Sequence, residues 1–381
     1  MESRSRIYRV VRSLVEFICR SVAAGYYSLI YVFIELPKIR RNQGLHTEAG
    51  TSLNTELWCI FAIYQRDQIS NNLVTFLMQI RNEGYNVILV NDGNCSGELI
   101  QAFLPHCHTI INKPPSGRDF GAYKWGTEFL SRLGEPIRQV VYCNDSIFIR
   151  PSALAQLLQR IRQISDDYIG ITETYFPCYH VQSWFFAISG VVFNSAAFQG
   201  FWRRYKPLSY RLHCINKGEI ALSQHLMRCG FQPHLLYTQN MVLDLIFDGT
   251  IAQAVDRLLQ LLRPQEYQQH LDTIRRLIFV QPIQEDIASG FLRHEITELL
   301  TRSNTMNAAN LVLLKFTEFP FLKKDLVYRG QYPLHQIENI IGWWVGEDAE
   351  HAREILAYFR CRGTLRLRVS PPALLARLGV I

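Results

Sequence analysis

An α/β fold, with a mixed sheet covered by helices, follows from three features of the sequence. Continuous apolar runs of strand length recur through the first half of the chain: LWCIFAIY at 57–64, YNVILV at 85–90 and IRQVVYC at 137–143. Segments with apolar residues three and four apart separate them, as on a helix with one buried face. The second and third runs stop at short polar turns, Asn91-Asp92-Gly93 and Asn144-Asp145-Ser146. Strands apolar throughout imply cover on both faces of a largely parallel sheet.

The elements follow in order. Leu73, Phe76, Leu77 and Ile80 mark a helix that Asn82-Glu83-Gly84 ends, so strand, helix and strand complete a right-handed crossover within about 35 residues. A further strand is expected at 108–111, a helix at 122–133 after a Gly-rich turn, and a helix from Pro151 to about 164, since proline at the first turn loses no hydrogen bond. Residues 168–171 and 183–193 read as later strands. A helix carrying Ile220, Leu222, Leu226 and Met227 follows Glu219, and beyond 250 the pattern turns helical, with 251–262, 267–278 and 292–301 the best candidates.

The 381 residues exceed the usual size of one domain, and 48% apolar against 19% charged residues is ample for a core. Nine cysteines, an odd number without any C-x-x-C pair, favour neither a disulfide scaffold nor a thiolate zinc site. A reducing, cytoplasmic setting is expected, with no signal-peptide pattern at the N-terminus. Residues 1–41 hold eight Arg or Lys against three Glu, a net of +5, leaving +2 for the rest. Residues 4–20 read as a basic amphipathic helix and 22–36 as an apolar run, short of the roughly 20 residues that span a bilayer. Peripheral attachment of 1–41 to an anionic membrane surface is expected, with packing on the main domain as the alternative. The domains then read as 1–41, a linker at 42–55, a catalytic region at 56–250 and a mostly helical region at 251–381.

In an open α/β sheet, ligands bind at the carboxyl ends of the strands. Three polar clusters fall there and bring Asp92, Asp119 and Asp145 to one edge. Asp92 is placed to accept hydrogen bonds from a base or ribose; an ordinary Asn-Asp-Gly turn is the alternative. In GRDFGAYKWG, 117–126, Gly117 and Gly121 bracket Arg118 and Asp119, allowing close approach to a ligand, and the helix start offers free N–H groups to a phosphate. Arg118 suits a phosphate, or else an internal pair with Asp119; Tyr123 and Trp125 either pack or line the pocket. Asn144-Asp145-Ser146 could bridge a diphosphate through Mg²⁺ or Mn²⁺ at Asp145, unless Asp145 caps the helix at Pro151. His180 is either a ligand-binding or a structural histidine, and Glu219 is a candidate general base.

Together these segments resemble the rhamnan synthesis protein F family, glycosyltransferase-like proteins of bacterial polysaccharide loci. The matching pieces are the opening from Trp58 to Gly93, GRDFGAYKWG, VVYCNDSIFI at 140–149, HVQSWFFAISG at 180–190, KGEIALSQHLMRCGF at 217–231, and a C-terminal block, 304–330, ending in FLKKDLVYRG. The resemblance spans about 56 to 335. It implies a GT-A type, Rossmann-like fold and a nucleotide-sugar donor, with dTDP-rhamnose the expected one. The acceptor would be a growing polysaccharide or lipid-linked glycan. Asp92 would contact the nucleotide, with Gly117, Arg118, Asp119, Asn144, Asp145 and His180 around the donor. Asp145 would stand at the metal position, although Asn144 before it departs from the usual Asp-x-Asp, and Arg118 or Lys124 could share the charge neutralisation. Glu219 or Asp119 would take the acceptor's proton. The competing reading is a non-catalytic glycan-assembly or glycan-binding protein that keeps the fold. Nucleic acid is not an expected partner, since charges outside 1–41 nearly balance, and the first strand–helix turn, YQRDQISNN, lacks the glycines of a dinucleotide site.

Overall fold

The computed structural model describes residues 46–261 and 285–363, apart from 66–68, 94 and 347, together with 21–22, 25–26 and 29–37. The amphipathic run at 4–20, the candidate helix at 267–278 and the tail beyond 363 lie outside the described residues.

Strands β1 (His46–Ala49), β2 (Leu57–Ile63), β3 (Asn86–Asp92), β4 (Thr109–Lys113) and β5 (Gln139–Asn144) build the first half of the main sheet. Helices α1 (Asn71–Asn82), α2 (Gly97–Phe103) and α3 (Arg118–Leu133) connect β2 through β5. The strand order β1-β4-β3-β2-β5 is parallel throughout except for β1, which runs antiparallel on the edge. The chain therefore steps outward from β2 to β4 and returns to β5 on the other side of β2. That reversal opens a crevice at the carboxyl ends of the strands.

Strand alternation shows why the runs are apolar throughout. Cys59, Phe61 and Ile63 enter one core with the α1 residues Leu73, Phe76 and Leu77, while Trp58, Ile60 and Ala62 enter a second with Phe120 and Tyr123 of α3. Both faces are covered, and α1 and α3 lie on opposite sides.

Two expectations are corrected here. Part of the stretch read as a linker pairs with β4 as β1. The strand expected over 183–193 is β9 (Phe185–Ser189), and the chain turns helical at Gly190 because Ser189 Oγ accepts from Val192 N. The later strands, β7 (Tyr168–Thr174), β8 (His180–Val181), β9 and β10 (Pro233–Tyr237), extend the sheet as β5-β9-β7-β10. β9 is antiparallel to both neighbours, which makes the sheet mixed as anticipated.

A three-residue strand, β6 (Ile147–Ile149), follows the Asp145 turn and pairs antiparallel with β11 (Phe321–Lys323) from the C-terminal region. That region is otherwise helical among its described residues, including 285–301, 305–316, 334–344 and 349–362. Its Leu300, Met306, Leu313 and Phe321 share the first core.

The free edge of β6 is satisfied by side chains: His351 Nε2 lies 2.8 Å from the Ile149 carbonyl oxygen, and one carboxamide meets two further backbone groups. Buried Asn72 on α1 donates through Nδ2 to the Ile147 carbonyl at 3.2 Å and accepts from Ile149 N at 3.0 Å. Asn72→Ala would strand both backbone groups, each costing roughly 1–3 kcal/mol. A loss of about 2–4 kcal/mol in urea denaturation is expected, and an unchanged midpoint would show that water replaces the carboxamide.

Candidate functional site

β3 and β4 pair in a register that sets Asp92 beside Lys113. The Lys113 ammonium binds Asp92 Oδ1 and donates to the Ser116 carbonyl at 2.6 Å, while Ser116 N donates to the same Asp92 oxygen at 3.0 Å. The lysine side chain is fully buried and the aspartate 14% exposed. Burial pushes the Lys113 pKa down, and the Asp92 carboxylate opposes that fall. Asp92 is thus more than a turn residue: it anchors the loop leading to α3. Lys113 had drawn no notice in the sequence, although a lysine closing an apolar strand is an available signal.

The α3 helix starts at Arg118, four residues earlier than its apolar spacing suggests, and so carries Arg118 and Asp119 in its first turn. Gly117 adopts φ +73°, and a Cβ there would stand 2.5 Å from Pro207 Cβ; one at Gly121 would meet the Ser116 carbonyl oxygen at 2.1 Å. Arg118 itself has φ +50°, an unfavourable setting for a side-chain-bearing residue that persists only where the surroundings impose it.

Asp119 is open to solvent yet closely surrounded by protein, as a residue on the floor of a cleft is. That crowding raises its pKa to about 6, with Arg118 pulling the other way and the Asp145 and Asp92 charges adding to the rise. Asp119 thus lies within electrostatic reach of both other carboxylates, which places the three along one cleft without gathering them at a single point. Asn144 joins two of the clusters, donating through Nδ2 to Asp119 Oδ2 at 3.0 Å while its Oδ1 accepts from Ser146 N at 3.1 Å.

Asp145 is held by the end of β2. Its Oδ2 accepts from Tyr64 N at 3.3 Å and from Gln65 Nε2 at 3.1 Å. It does not cap the helix at Pro151, where Arg150 stands at the cap position and makes no side-chain bond to the helix end. Among the described residues no three His, Cys, Asp or Glu gather around one point. A lone carboxylate suits an Mg²⁺ or Mn²⁺ ion that takes its remaining ligands from phosphate oxygens and water.

Glu219 occupies the last position of an irregular π-helical turn, Cys214–Glu219, not the free N-terminus of a helix. Both its oxygens are engaged: Oε1 lies 2.9 Å from His180 Nε2, and Oε2 accepts from Ser183 Oγ at 2.6 Å. His180 Nδ1 meets the Cys178 carbonyl oxygen at 2.8 Å. Both ring nitrogens thus face acceptors, which favours the imidazolium. Burial would lower the His180 pKa, but its bond to Glu219 outweighs this and raises it. Burial likewise acts to raise Glu219, and the His180 bond overrides it to hold the carboxyl below its ordinary value. His180, expected beside the donor, is instead committed to Glu219. Lys124 is also spoken for, bound to the Trp202 carbonyl and, at 3.2 Å, to Glu128. Tyr123 is a core residue donating to the Ser183 carbonyl.

The C-terminal region contributes cations that sequence reading left without a role. Lys324 N donates to the Ser146 carbonyl at 3.0 Å, continuing the β6–β11 ladder past Lys323. The Lys323 charge acts on Glu219, and the Asp145 charge acts on Lys324. Arg211 stands near Arg329 and Arg118, and burial with that repulsion lowers its pKa to about 10. A separate open depression lined by Ala252, Arg257, Lys315 and Phe316 shares none of these residues.

Fold and site together define an α/β protein with a charged cleft at the carboxyl ends of parallel strands. The model of the rhamnan synthesis protein F family matches residues 87–260, the stretch that holds Asp92, Lys113, Asp119, Asp145, His180 and Glu219. The resemblance read from the motifs holds there. Uncharacterized protein y4gN of Sinorhizobium fredii (strain NBRC 101917 / NGR234) is 25% identical over 201 residues, 52% of either chain. The chain thus spans about half the length of this curated relative. Among solved structures, a cytidylyltransferase from Leptospira borgpetersenii overlaps 48% of this chain and 76% of its own, at 10% identity and a TM-score of 0.27, too low to bear on activity.

Breaking a buried ion pair from one side leaves the other charge uncompensated, at roughly 3–5 kcal/mol. Lys113→Met is expected to destabilise the fold by about 3 kcal/mol in chemical denaturation, with Asp92→Asn in the same chain recovering part of it. No recovery in the double variant would mean that Lys113 matters for packing alone.

Proposed function

We propose that this protein is a glycosyltransferase of GT-A type, moving a sugar from a nucleotide-sugar donor, such as dTDP-rhamnose, to a growing polysaccharide or lipid-linked glycan. The observation that carries the reading is the convergence of Asp92, Asp119 and Asp145 on one cleft at the switch point of the sheet, ringed by cations. The family match over the same residues supports it.

In this reading the acceptor hydroxyl oxygen attacks the anomeric carbon. The bond from that carbon to the diphosphate oxygen breaks, its electron pair leaves with the nucleotide diphosphate, and the hydroxyl proton passes to a carboxylate. Asp119 and Glu219 both border the cleft, in opposite environments. Glu219 is doubly hydrogen-bonded and weakened as a base, whereas Asp119, with a pKa raised to about 6, is matched to proton transfer near neutral pH. Asp119 therefore takes the proton, with Asn144 fixing its orientation. Glu219 and His180 form a buried charged brace beside it. A divalent ion held by Asp145 would neutralise charge on the diphosphate.

A protein carrying Asp119→Asn should lose about a hundredfold in turnover against a panel of nucleotide sugars, with and without Mn²⁺. In the wild type, kcat should rise with pH through about 6, because the base works only when deprotonated. Should that limb persist in Asp119→Asn and vanish in Glu219→Gln, the base assignment would pass to Glu219. Binding of donor without turnover under every condition would instead favour the non-catalytic glycan-assembly role.

Attachment to an anionic membrane belongs to the same proposal. Val22, Leu29, Val32 and Phe33 lie in helical segments near the N-terminus and are 50–72% exposed, within a stretch of net charge +5. No helix among the described residues is long and apolar enough to cross a bilayer. Val22→Asp with Phe33→Asp should release the protein from phosphatidylserine vesicles in a flotation assay, leaving nucleotide binding intact. Undiminished flotation would overturn the attachment.

A further inference from the structure

Four cations border the cleft without a carboxylate at ion-pair distance among the described residues: Arg118, Arg211, Lys323 and Lys324. They come from three distant parts of the chain. Arg118 opens α3 in a left-handed conformation, Arg211 precedes the irregular turn bearing Glu219, and Lys323 ends β11 with Lys324 directly after it. Their positions are fixed by backbone. The β6–β11 ladder pairs Lys323 with Ile147, and Lys324 N bonds the carbonyl of Ser146, the residue after Asp145. The Lys324 ammonium also lies 5.1 Å from the centre of the Phe148 ring and 5.8 Å from that of Tyr358, which places its charge beside β6.

This arrangement works against itself in the absence of an anion. Arg211 is crowded by two other guanidiniums, Arg118 and Arg329, against the carboxylates of Asp325 and Glu219, neither at ion-pair distance from it, and Asp325 is already bound directly by Arg329. Desolvated charges without close counter-ions are costly, and a clustered set of like sign more so. A multiply charged anion with several oxygens removes the conflict, and guanidinium forks match phosphate oxygens well.

We propose that Arg118, Arg211, Lys323 and Lys324 form a clamp for the diphosphate of the bound nucleotide, with the C-terminal strand closing it opposite Asp145. This rests on the nucleotide-sugar reading above and deepens it. The clamp holds the two phosphates before reaction and receives the negative charge that develops as the sugar–oxygen bond breaks. It gives β11 a direct part in the site.

The test is equilibrium binding of dTDP, UDP and inorganic pyrophosphate to the full chain by calorimetry, in EDTA and again in Mg²⁺. Arg211→Gln and Lys323→Gln should each weaken binding of pyrophosphate, dTDP and UDP about tenfold in EDTA, and Lys323→Arg should restore most of what Lys323→Gln loses. Lys315→Gln, which removes an equal charge from the remote depression, should change nothing, and thermal unfolding of each variant reports folding. If the wild type binds dTDP or UDP while Arg211→Gln and Lys323→Gln bind pyrophosphate within about twofold of it, the clamp is wrong and the nucleotide-sugar reading stands. If the wild type binds none of the three probes in either buffer, both fall together.

Discussion

The parallel register of β4, β3, β2 and β5 is the constraint on which the cleft depends. It opposes Asp92 to Lys113 across neighbouring strands, ends β2 at the residues that hold Asp145, and leaves Asn144 beside the start of α3. None of these contacts is local in sequence. A one-residue slip between β3 and β4 would turn side chains to the opposite face and dismantle the Asp92–Lys113 anchor. With it would go the tight loop through Gly117 that presents Arg118 and Asp119. The cores on the two faces, built from alternate residues of the same strands, hold that register in place.

Much of this was legible in the sequence. Continuous apolar strands and polar stops at 91–93 and 144–146 identified the sheet and the edge where its polar turns gather, because burial on both faces leaves a plain compositional trace. The three aspartates were found for the same reason. What stayed hidden depended on tertiary pairing. Lys113 and Asp92 are 21 residues apart and meet only through strand register. His180 and Glu219 were each singled out, but their partnership across 39 residues left no local mark, so His180 was given to the donor. β6 and β11 have three residues each, too few for any periodicity to declare itself, and their pairing sets Phe148 opposite Leu322, far away in the sequence. Glu219's place in a π-wound turn was also invisible, since its flanking residues read as an ordinary helix start.

The β6–β11 ladder changes how the C-terminal region should be understood. Its helices share the first core with the strands, so they are cover in the ordinary sense. The same region also sends Lys323 and Lys324 back to the Asp145 turn, which means that stability of the helical part and charge in the cleft are linked. Asn72 completes this link from the other side by satisfying the open edge of β6.

The two candidate bases illustrate how environment divides labour between similar groups. Both are carboxylates in one cleft. Glu219 receives a buried imidazole and a serine hydroxyl, bonds that favour its charged form. Asp119 receives one amide and faces two further carboxylates, a setting that disfavours charge. Titratable pairs pushed in opposite directions are the usual sign of divided roles. Here the direction of each shift follows from identifiable neighbours. A group braced into permanent ionisation contributes a fixed field, while a group poised near neutrality can exchange a proton. Arg118 and Lys113 make this division workable, since their charges pull the Asp119 pKa down against its acidic neighbours, and a diphosphate bound at Arg118 would weaken that pull. On that balance the basicity of Asp119 would rise with the anion in place.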